Sequence, residues 1–318
     1  MDPAPSDAAT PDLTSPDLTA PDLTTPDLTT PDLTAPDDAT LQALETLAVE
    51  VAREAGRLIV DERPPNLGVS KTKSTATDVV TVMDQRAQDL LRGRLHEARP
   101  QDGFLGEEEG GTRRRSAITW VVDPIDGTVN YLYGIPSYSV SVAAVVGDPT
   151  TPGAWRPVAG AVFNPVTDEL FRARAGGGAR LEGGRAPARR LELTEPPSLG
   201  HALVGTGFGY DTARRQWQAT VLLDVLPEVR DIRRIGSAAL DICAVAAGSL
   251  DAYYERGLNP WDMAAAWLVL VEAGGVFSGL AGEPPSDRMV VAGAPPLHTA
   301  LHEVVLRATG RAGADPTL

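Results

Sequence analysis

With a single cysteine in 318 residues, this chain cannot build a disulfide framework or a Cys-rich metal site. Lysine occurs only at Lys71 and Lys73, and 28 basic residues face 43 acids for a formal charge of −15. A nucleic-acid-binding surface needs clustered positive charge, so that partner class is excluded. No apolar run reaches the roughly 18–20 residues needed to span a bilayer. The acidic start has neither the basic nor the apolar region of a signal peptide. The expectation is a soluble, cytoplasmic protein with no nucleic-acid or membrane partner.

Charge is unevenly spread. The first 38 residues carry nine aspartates, at positions 2, 7, 12, 17, 22, 27, 32, 37 and 38, and no Lys or Arg. Setting them aside leaves 43 − 9 = 34 acids against 28 bases, an ordinary balance for a soluble body. From Pro11 the motif Pro-Asp-Leu-Thr recurs with a five-residue period, in five copies ending at Thr34. Proline at that period interrupts helix and sheet hydrogen bonding, and one Leu per unit offers little to bury. Residues 1–38 therefore read as a disordered tail, ahead of a folded body over residues 39–312 and a flexible end at 313–318.

Within the body, Leu41, Leu44, Leu47, Val51, Ala55, Leu58 and Ile59 follow helical spacing, predicting a helix from about 41 to 61. A second helix is expected over 82–97, then strands at 104–105, 118–122, 138–146 and a hairpin of 158–163 with 170–174 turned by Asn164-Pro165. After the Gly/Arg-rich stretch 176–190 the pattern changes to helices at 212–226, 238–247 and 260–273. These alternate with strands at 231–235, 251–254 and 289–292. The alternation predicts a layered α/β body in two halves, about 39–187 and 188–312.

The chemistry gathers at element ends. Asp123-Pro124-Ile125-Asp126-Gly127-Thr128 follows the apolar run at 118–122. Buried acids need partners, and two carboxylates with the Ile125 carbonyl could face one point and suit Mg²⁺. Gly127-Thr128 would then open a short helix whose free N–H groups can hold a phosphate. The plainer reading is an Asp-Gly turn capped by Thr128. Glu107 and Glu108 follow another short apolar run, Asp262 opens an apolar helix, and Asp84 opens the second helix. Helix capping alone would explain either of the last two, but four acidic clusters at element ends resist that account.

The segments at 73–84, 106–108, 120–130 and 261–275, in this order and spacing, resemble the inositol monophosphatase family, as does DICAVAAGSLDAYYERGLNPWD from Asp241 to Asp262. The likeness covers nearly all of residues 41–308 and is strongest to bacterial, particularly actinobacterial, members. It implies an αβαβα sandwich of the inositol monophosphatase and fructose-1,6-bisphosphatase type, an α/β (α+β) fold. It also implies a homodimer and a Mg²⁺-dependent phosphomonoesterase acting on myo-inositol 1-phosphate, with histidinol phosphate as the alternative substrate. By position, Glu107, Asp123 and the Ile125 carbonyl would bind one Mg²⁺, and Asp123, Asp126 and Asp262 a second. A third would sit near Glu107, with Asp84 in its outer environment. Thr128, hydrogen-bonded to Asp84, would act on the attacking water, and the N–H groups of Gly127 and Thr128 would hold phosphate. Asp126, Ala238, Glu255 and Asp262 match positions that contact the alcohol, and Lys73 and Glu108 are possible accessory residues.

Rival chemistries fail on spacing. Cys243 lies in an apolar helix without the arginine of a cysteine-phosphatase loop, so it reads as a core thiol. The aspartates of Asp123-Pro124-Ile125-Asp126 are too far apart for an Asp-x-Asp nucleophile. The four histidines form no ligand pair with the acids, and His298 and His302 read as a surface face. Gly205-Thr206-Gly207-Phe208-Gly209 is followed by Tyr210 rather than the final glycine of a dinucleotide loop and reads as a structural loop. A non-catalytic binding protein on the same scaffold is the remaining competing class.

Overall fold

The structure, a computed structural model, describes residues 33–34, 36–63, 71–72, 79–80, 82–108, 117–185, 187–194, 198–315 and 317. The predicted tail lies outside the described residues at 1–32 and 35, as does Lys73. In chain order the elements begin with α1 (Asp38–Asp61), β1 (Lys71–Thr72), β2 (Val79–Val80), α2 (Val82–Ala98), β3 (Gly103–Gly106), β4 (Ile118–Asp126) and α3 (Thr128–Tyr133). There follow β5 (Ser139–Gly147), β6 (Trp155–Asn164), β7 (Glu169–Arg174), β8 (Gly178–Gly183), β9 (Arg189–Leu191) and β10 (Leu203–Thr206). The remainder comprises α4 (Thr212–Val225), β11 (Asp231–Arg233), α5 (Ala238–Ala247), β12 (Ala252–Glu255), α6 (Pro260–Glu272), β13 (Val276–Ser278), β14 (Val290–Gly293) and α7 (Pro295–Ala312).

The first helix starts at Asp38 rather than near Leu41 because Asp37 caps it. The Asp37 backbone is extended, and its side chain accepts from the Thr40 N–H at 2.8 Å. The end of the predicted tail is thus ordered, and the Leu33 carbonyl accepts from the Arg156 guanidinium at 2.7 Å.

Seven strands form one sheet in the order β3-β4-β5-β6-β7-β8-β9, antiparallel except for β3 with β4. Five form a second, β11-β10-β12-β14-β13, in which β10 runs parallel to both its neighbours. Side-chain alternation builds the layers. Trp120 and Val122 pack in a core with α1 and α2, whereas Val121 between them packs with α5 and α6. Tyr253 of β12 joins that same central core from the second sheet, and its neighbours Ala252 and Tyr254 face α4 and α7. The result is the five-layered αβαβα sandwich: α1/α2, sheet, α5/α6, sheet, α4/α7. Its apolar centre is why α5 and α6 are hydrophobic almost all round. Among the described residues no helix is long and apolar enough to cross a membrane.

Several expectations need correction. The sequence pattern predicts no element over 176–190, but β8 and β9 extend the first sheet through it to Leu191. Gly205 lies in β10, where a side chain would meet Tyr253 and Leu250, so this glycine allows close packing between neighbouring strands. His298 is not on a surface face. It is buried on α7 and hydrogen-bonded through Nε2 to the Ser278 hydroxyl at 2.9 Å. The region after α7 is held in place too, because Asp315 is buried and ion-paired with Arg256.

Candidate active site

The site begins with a defect in β4. Asp123 pairs with Ser141 and Asp126 with Ser139, so three steps on one strand match two on the other. In a regular strand residues three apart point to opposite faces; the extra residue of a bulge brings Asp123 and Asp126 to the same one. Proline at 124 suits the irregularity, since it has no N–H to contribute to the ladder. The Asp123 carboxylate accepts from the Ile125 N–H at 3.0 Å, which fixes the turn.

Asp126 is held from the other half of the fold. Its carboxylate accepts from the Ser237 hydroxyl, from Ala239 N–H at 2.8 Å and from Ala238 N–H at 3.3 Å, at the N-terminus of α5. Asp262 enters from the first turn of α6, where it also caps the helix by accepting from the Asn259 N–H at 2.7 Å. Capping and site formation are therefore one arrangement, not competing readings. Carboxylate oxygens of Asp123, Asp126 and Asp262 lie within 4.8 Å of one another.

Electrostatics shows how unfavourable this trio is without a cation. Burial, followed by the charges of Glu107, Asp126 and Asp262, pushes the Asp123 carboxyl well above its usual range. Burial and then Asp126 and Glu107 do the same to Asp262. Burial carries Asp126 up to about 6 despite the opposing hydrogen bonds of Ser237 and α5. Three crowded hard-oxygen donors, Asp123 and Asp126 buried and Asp262 half-buried, fit a divalent cation such as Mg²⁺.

The trio opens on a cavity of about 500 Å³, which Glu107, Ile125, Gly127, Thr128, Ala238 and Glu255 also line. Gly127 has φ of +95°, and a Cβ there would press on the Ser137 and Gly236 carbonyls, so only glycine turns the chain here without strain. The Thr128 hydroxyl donates to the Ile125 carbonyl at 3.1 Å, and not to Asp84 as the family resemblance implies. Asp84 is buried on α2, and its charge still reaches Asp123. Glu108 is buried and is not among the residues that line the cavity; its backbone N–H donates to Gln88 Oε1 at 2.9 Å.

Glu255, on β12, lines the same cavity. Burial raises its carboxyl to about 7, against a hydrogen bond from the Tyr253 hydroxyl and the charge of Arg234. Gly207 leaves room beside it: a Cβ there would meet the Glu255 carboxylate, which would have to move. The glycine-rich stretch 205–209 is therefore partly cavity wall, a role its sequence signature did not suggest. By family resemblance Ser237 keeps a hydroxyl where Thr is frequent, whereas Arg234 and Asp241 escaped sequence reading. Asp241 lines the cavity and is buried with Oδ1 lacking a hydrogen-bond partner. Burial, then Asp126 and Glu255, raise its carboxyl to about 8. Cys243 on α5 is buried, as expected, and burial pushes its thiol well above the usual range.

Comparison with known proteins agrees with this geometry. Residues 40–313 match the inositol monophosphatase family. The inositol-1-monophosphatase of Mycobacterium bovis is 46% identical over 245 residues, 73% of this chain and 82% of that protein. A protein of Xylella fastidiosa named Nus factor SuhB is 34% identical over 270 residues, 82% of this chain and 93% of its own length. The solved structure of Mycobacterium tuberculosis SuhB superposes with a TM-score of 0.70 at 42% identity, over 85% of this chain and 98% of that one.

Proposed function

The chain belongs to the inositol monophosphatase family, and from that premise we propose that it hydrolyses myo-inositol 1-phosphate and related monophosphates to the alcohol and phosphate. Histidinol phosphate is the alternative substrate on the same scaffold. The observation that carries the reading is the convergence of Asp123, Asp126 and Asp262 in the lining of a polar cavity. Two or three Mg²⁺ are the proposed cofactors. Glu107, Asp123 and the Ile125 carbonyl would hold one, Asp123, Asp126 and Asp262 a second, and Glu107 with Asp84 would stand near a third. Such ions, when bound, neutralise phosphate charge and make water nucleophilic at neutral pH.

The chain's own groups do the positioning. The N–H groups of Gly127 and Thr128 would hold the phosphate, with Gly127 letting the backbone approach it closely. The Thr128 hydroxyl would orient the attacking water, and Asp84 and Glu107 would accept its proton. Asp126 is kept in one orientation by Ser237 and the start of α5. Asp126, Ala238, Glu255 and Asp262 would meet the hydroxyls of the alcohol. Direct attack by water needs no protein nucleophile, which agrees with the buried, protonated state of the Cys243 thiol. Family membership also supports a cytoplasmic homodimer.

The test is phosphate release from myo-inositol 1-phosphate, histidinol phosphate and an aryl phosphate, with Mg²⁺ and with excess chelator. Release with Mg²⁺, loss with chelator, and a fall of at least about 100-fold in Asp123→Asn or Asp262→Asn are expected. Undiminished release under chelator would sink the metal assignment. No release from any ester would favour a non-catalytic role on the same scaffold.

A further inference from the structure

One wall of the cavity is left unexplained by the acids and the polyol-facing groups. Arg214 of α4 and Arg256, next to Glu255, both line it, as does Thr317. The two guanidinium groups converge on one carboxylate, Asp315, which follows α7 and is buried. Arg256 Nε pairs with Asp315 Oδ2, and Arg214 Nε lies 3.7 Å from the same oxygen. Arg214 Nε also donates to the Thr317 hydroxyl at 3.0 Å. Thr317 returns its N–H and hydroxyl to Asp315 Oδ1, at 2.8 and 2.7 Å. The segment is anchored again where Trp217 Nε1 donates to the Gly313 carbonyl at 2.8 Å, and Arg256 stacks over the same Trp217 ring at 4.7 Å. Gly257, at φ of +100°, leaves the space Arg214 uses; a Cβ there would come 2.6 Å from its Nη1.

Paired arginine forks beside a phosphatase cavity would otherwise make a strong anion subsite. Here the chain itself takes up part of that capacity: Asp315 faces both Nε groups, and Arg256 Nη1 donates to the Arg288 carbonyl at 2.9 Å. We propose that Asp315 is a specificity determinant: by occupying Arg214 and Arg256 it closes a latent second-anion subsite, so the cavity favours phosphate esters of neutral polyols over esters carrying a second anionic group. The inference rests on the phosphomonoesterase reading. An incoming second phosphate would have to displace Asp315 and leave its carboxylate buried without a cation, which is strongly unfavourable.

The experiment compares myo-inositol 1-phosphate with myo-inositol 1,4-bisphosphate, which differ only in the second phosphate. Asp315→Asn removes the charge with little change of shape. A chain stopped after Ala312 removes the group altogether and serves if Asp315→Asn does not fold. In either variant, kcat/KM for the bisphosphate relative to the monophosphate should rise at least about 10-fold, and adding Arg214→Gln should cancel the gain. An unchanged ratio in a folded variant overturns the proposal. If the unaltered chain releases no phosphate from either ester, it is the phosphatase reading that fails. Calorimetric binding of the two esters then decides the inference: a selective gain in bisphosphate affinity upholds it, and equal affinities overturn it.

Discussion

Ser237 and Asp126 are 111 positions apart in the chain and share a hydrogen bond across the two halves of the fold, with the serine hydroxyl donating to Asp126 Oδ2. The same Ser237 oxygen accepts from the Leu240 N–H at 3.3 Å and so caps α5. One side chain thus starts a core helix and aims a carboxylate at the cavity. Placement of Asp126 depends on the packing of α5 between the sheets.

Removing that hydroxyl should therefore affect both stability and turnover. Ser237→Ala loses an N-cap, worth about 1 kcal/mol, and a hydrogen bond to a charged group, worth about 1.5–3 kcal/mol in general. The expected outcome is a lower melting temperature together with a 10–100-fold fall in kcat. Ser237→Thr should restore most of both. A variant with lowered stability but normal kcat would show that the hydroxyl does not orient Asp126.

The raised carboxyls give the ion-free chain a distinct pH dependence. Below about pH 4 these acids are protonated in the folded and the unfolded chain alike. Above that, the unfolded chain releases its protons first, while the folded chain holds them to about 6 at Asp126, 7 at Glu255 and 8 at Asp241. Folding then takes up protons, so the contribution of these groups to stability falls as pH rises through that range. In chelator, the melting temperature should be higher near pH 5.5 than near pH 8. Mg²⁺ favours the ionised acids, so its stabilising effect should be larger at pH 8. A larger Mg²⁺ effect at pH 5.5 would contradict this assignment of the buried acids.

Truncation should discriminate between the repeat and the residues that follow it. The proline period and sparse apolar content of residues 1–32 offer no basis for stabilising the body. Deleting them should leave the melting temperature and turnover nearly unchanged. Deleting 1–38 removes the Asp37 cap and the ion pair of Asp38 with Arg174, and should lower the melting temperature, mostly through the cap. Asp37→Ala alone should reproduce most of that loss in a denaturant titration. Equal melting temperatures for both truncations would remove Asp37 from the account.

What could be read in advance followed local rules. The 3.6-residue pattern of α1 and the apolar runs of α5 and α6 state their element type through spacing alone, and Asp123, Asp126 and Asp262 betray themselves by standing at the ends of apolar segments. What could not be read depended on distant neighbours. β9 is three residues with two exposed arginines, and it is a strand only because β8 supplies an edge. The His298 ring is buried because Ser278 of β13 lies against it, a contact invisible from the spacing of His298 and His302. Asp315 looked like part of a polar terminus, and only the folded chain brings two arginines to it. Ser237 is legible as a helix cap, but its second bond, to Asp126, is not.

Water activation and alcohol recognition should separate at Thr128 and Glu255. Thr128→Ala removes the hydroxyl proposed to orient water but keeps the backbone N–H proposed to hold phosphate. It should therefore lower kcat far more than it raises KM, to similar extents on myo-inositol 1-phosphate and an aryl phosphate. Glu255 also lines the cavity, held by the Tyr253 hydroxyl. Glu255→Gln keeps the shape but weakens acceptance of polyol hydroxyls. Losing one charged hydrogen bond is worth about 1.5–3 kcal/mol, roughly a 10–150-fold fall in kcat/KM on the inositol ester. The aryl ester lacks those hydroxyls and should lose much less. Because burial raises the Glu255 carboxyl to about 7, the unaltered protein's preference for the inositol ester should strengthen from pH 6 to pH 8 as the group ionises. Glu255→Gln should abolish that pH dependence of preference. Equal losses on both esters would remove Glu255 from alcohol recognition, and a normal kcat in Thr128→Ala would remove the hydroxyl from the water-orienting step.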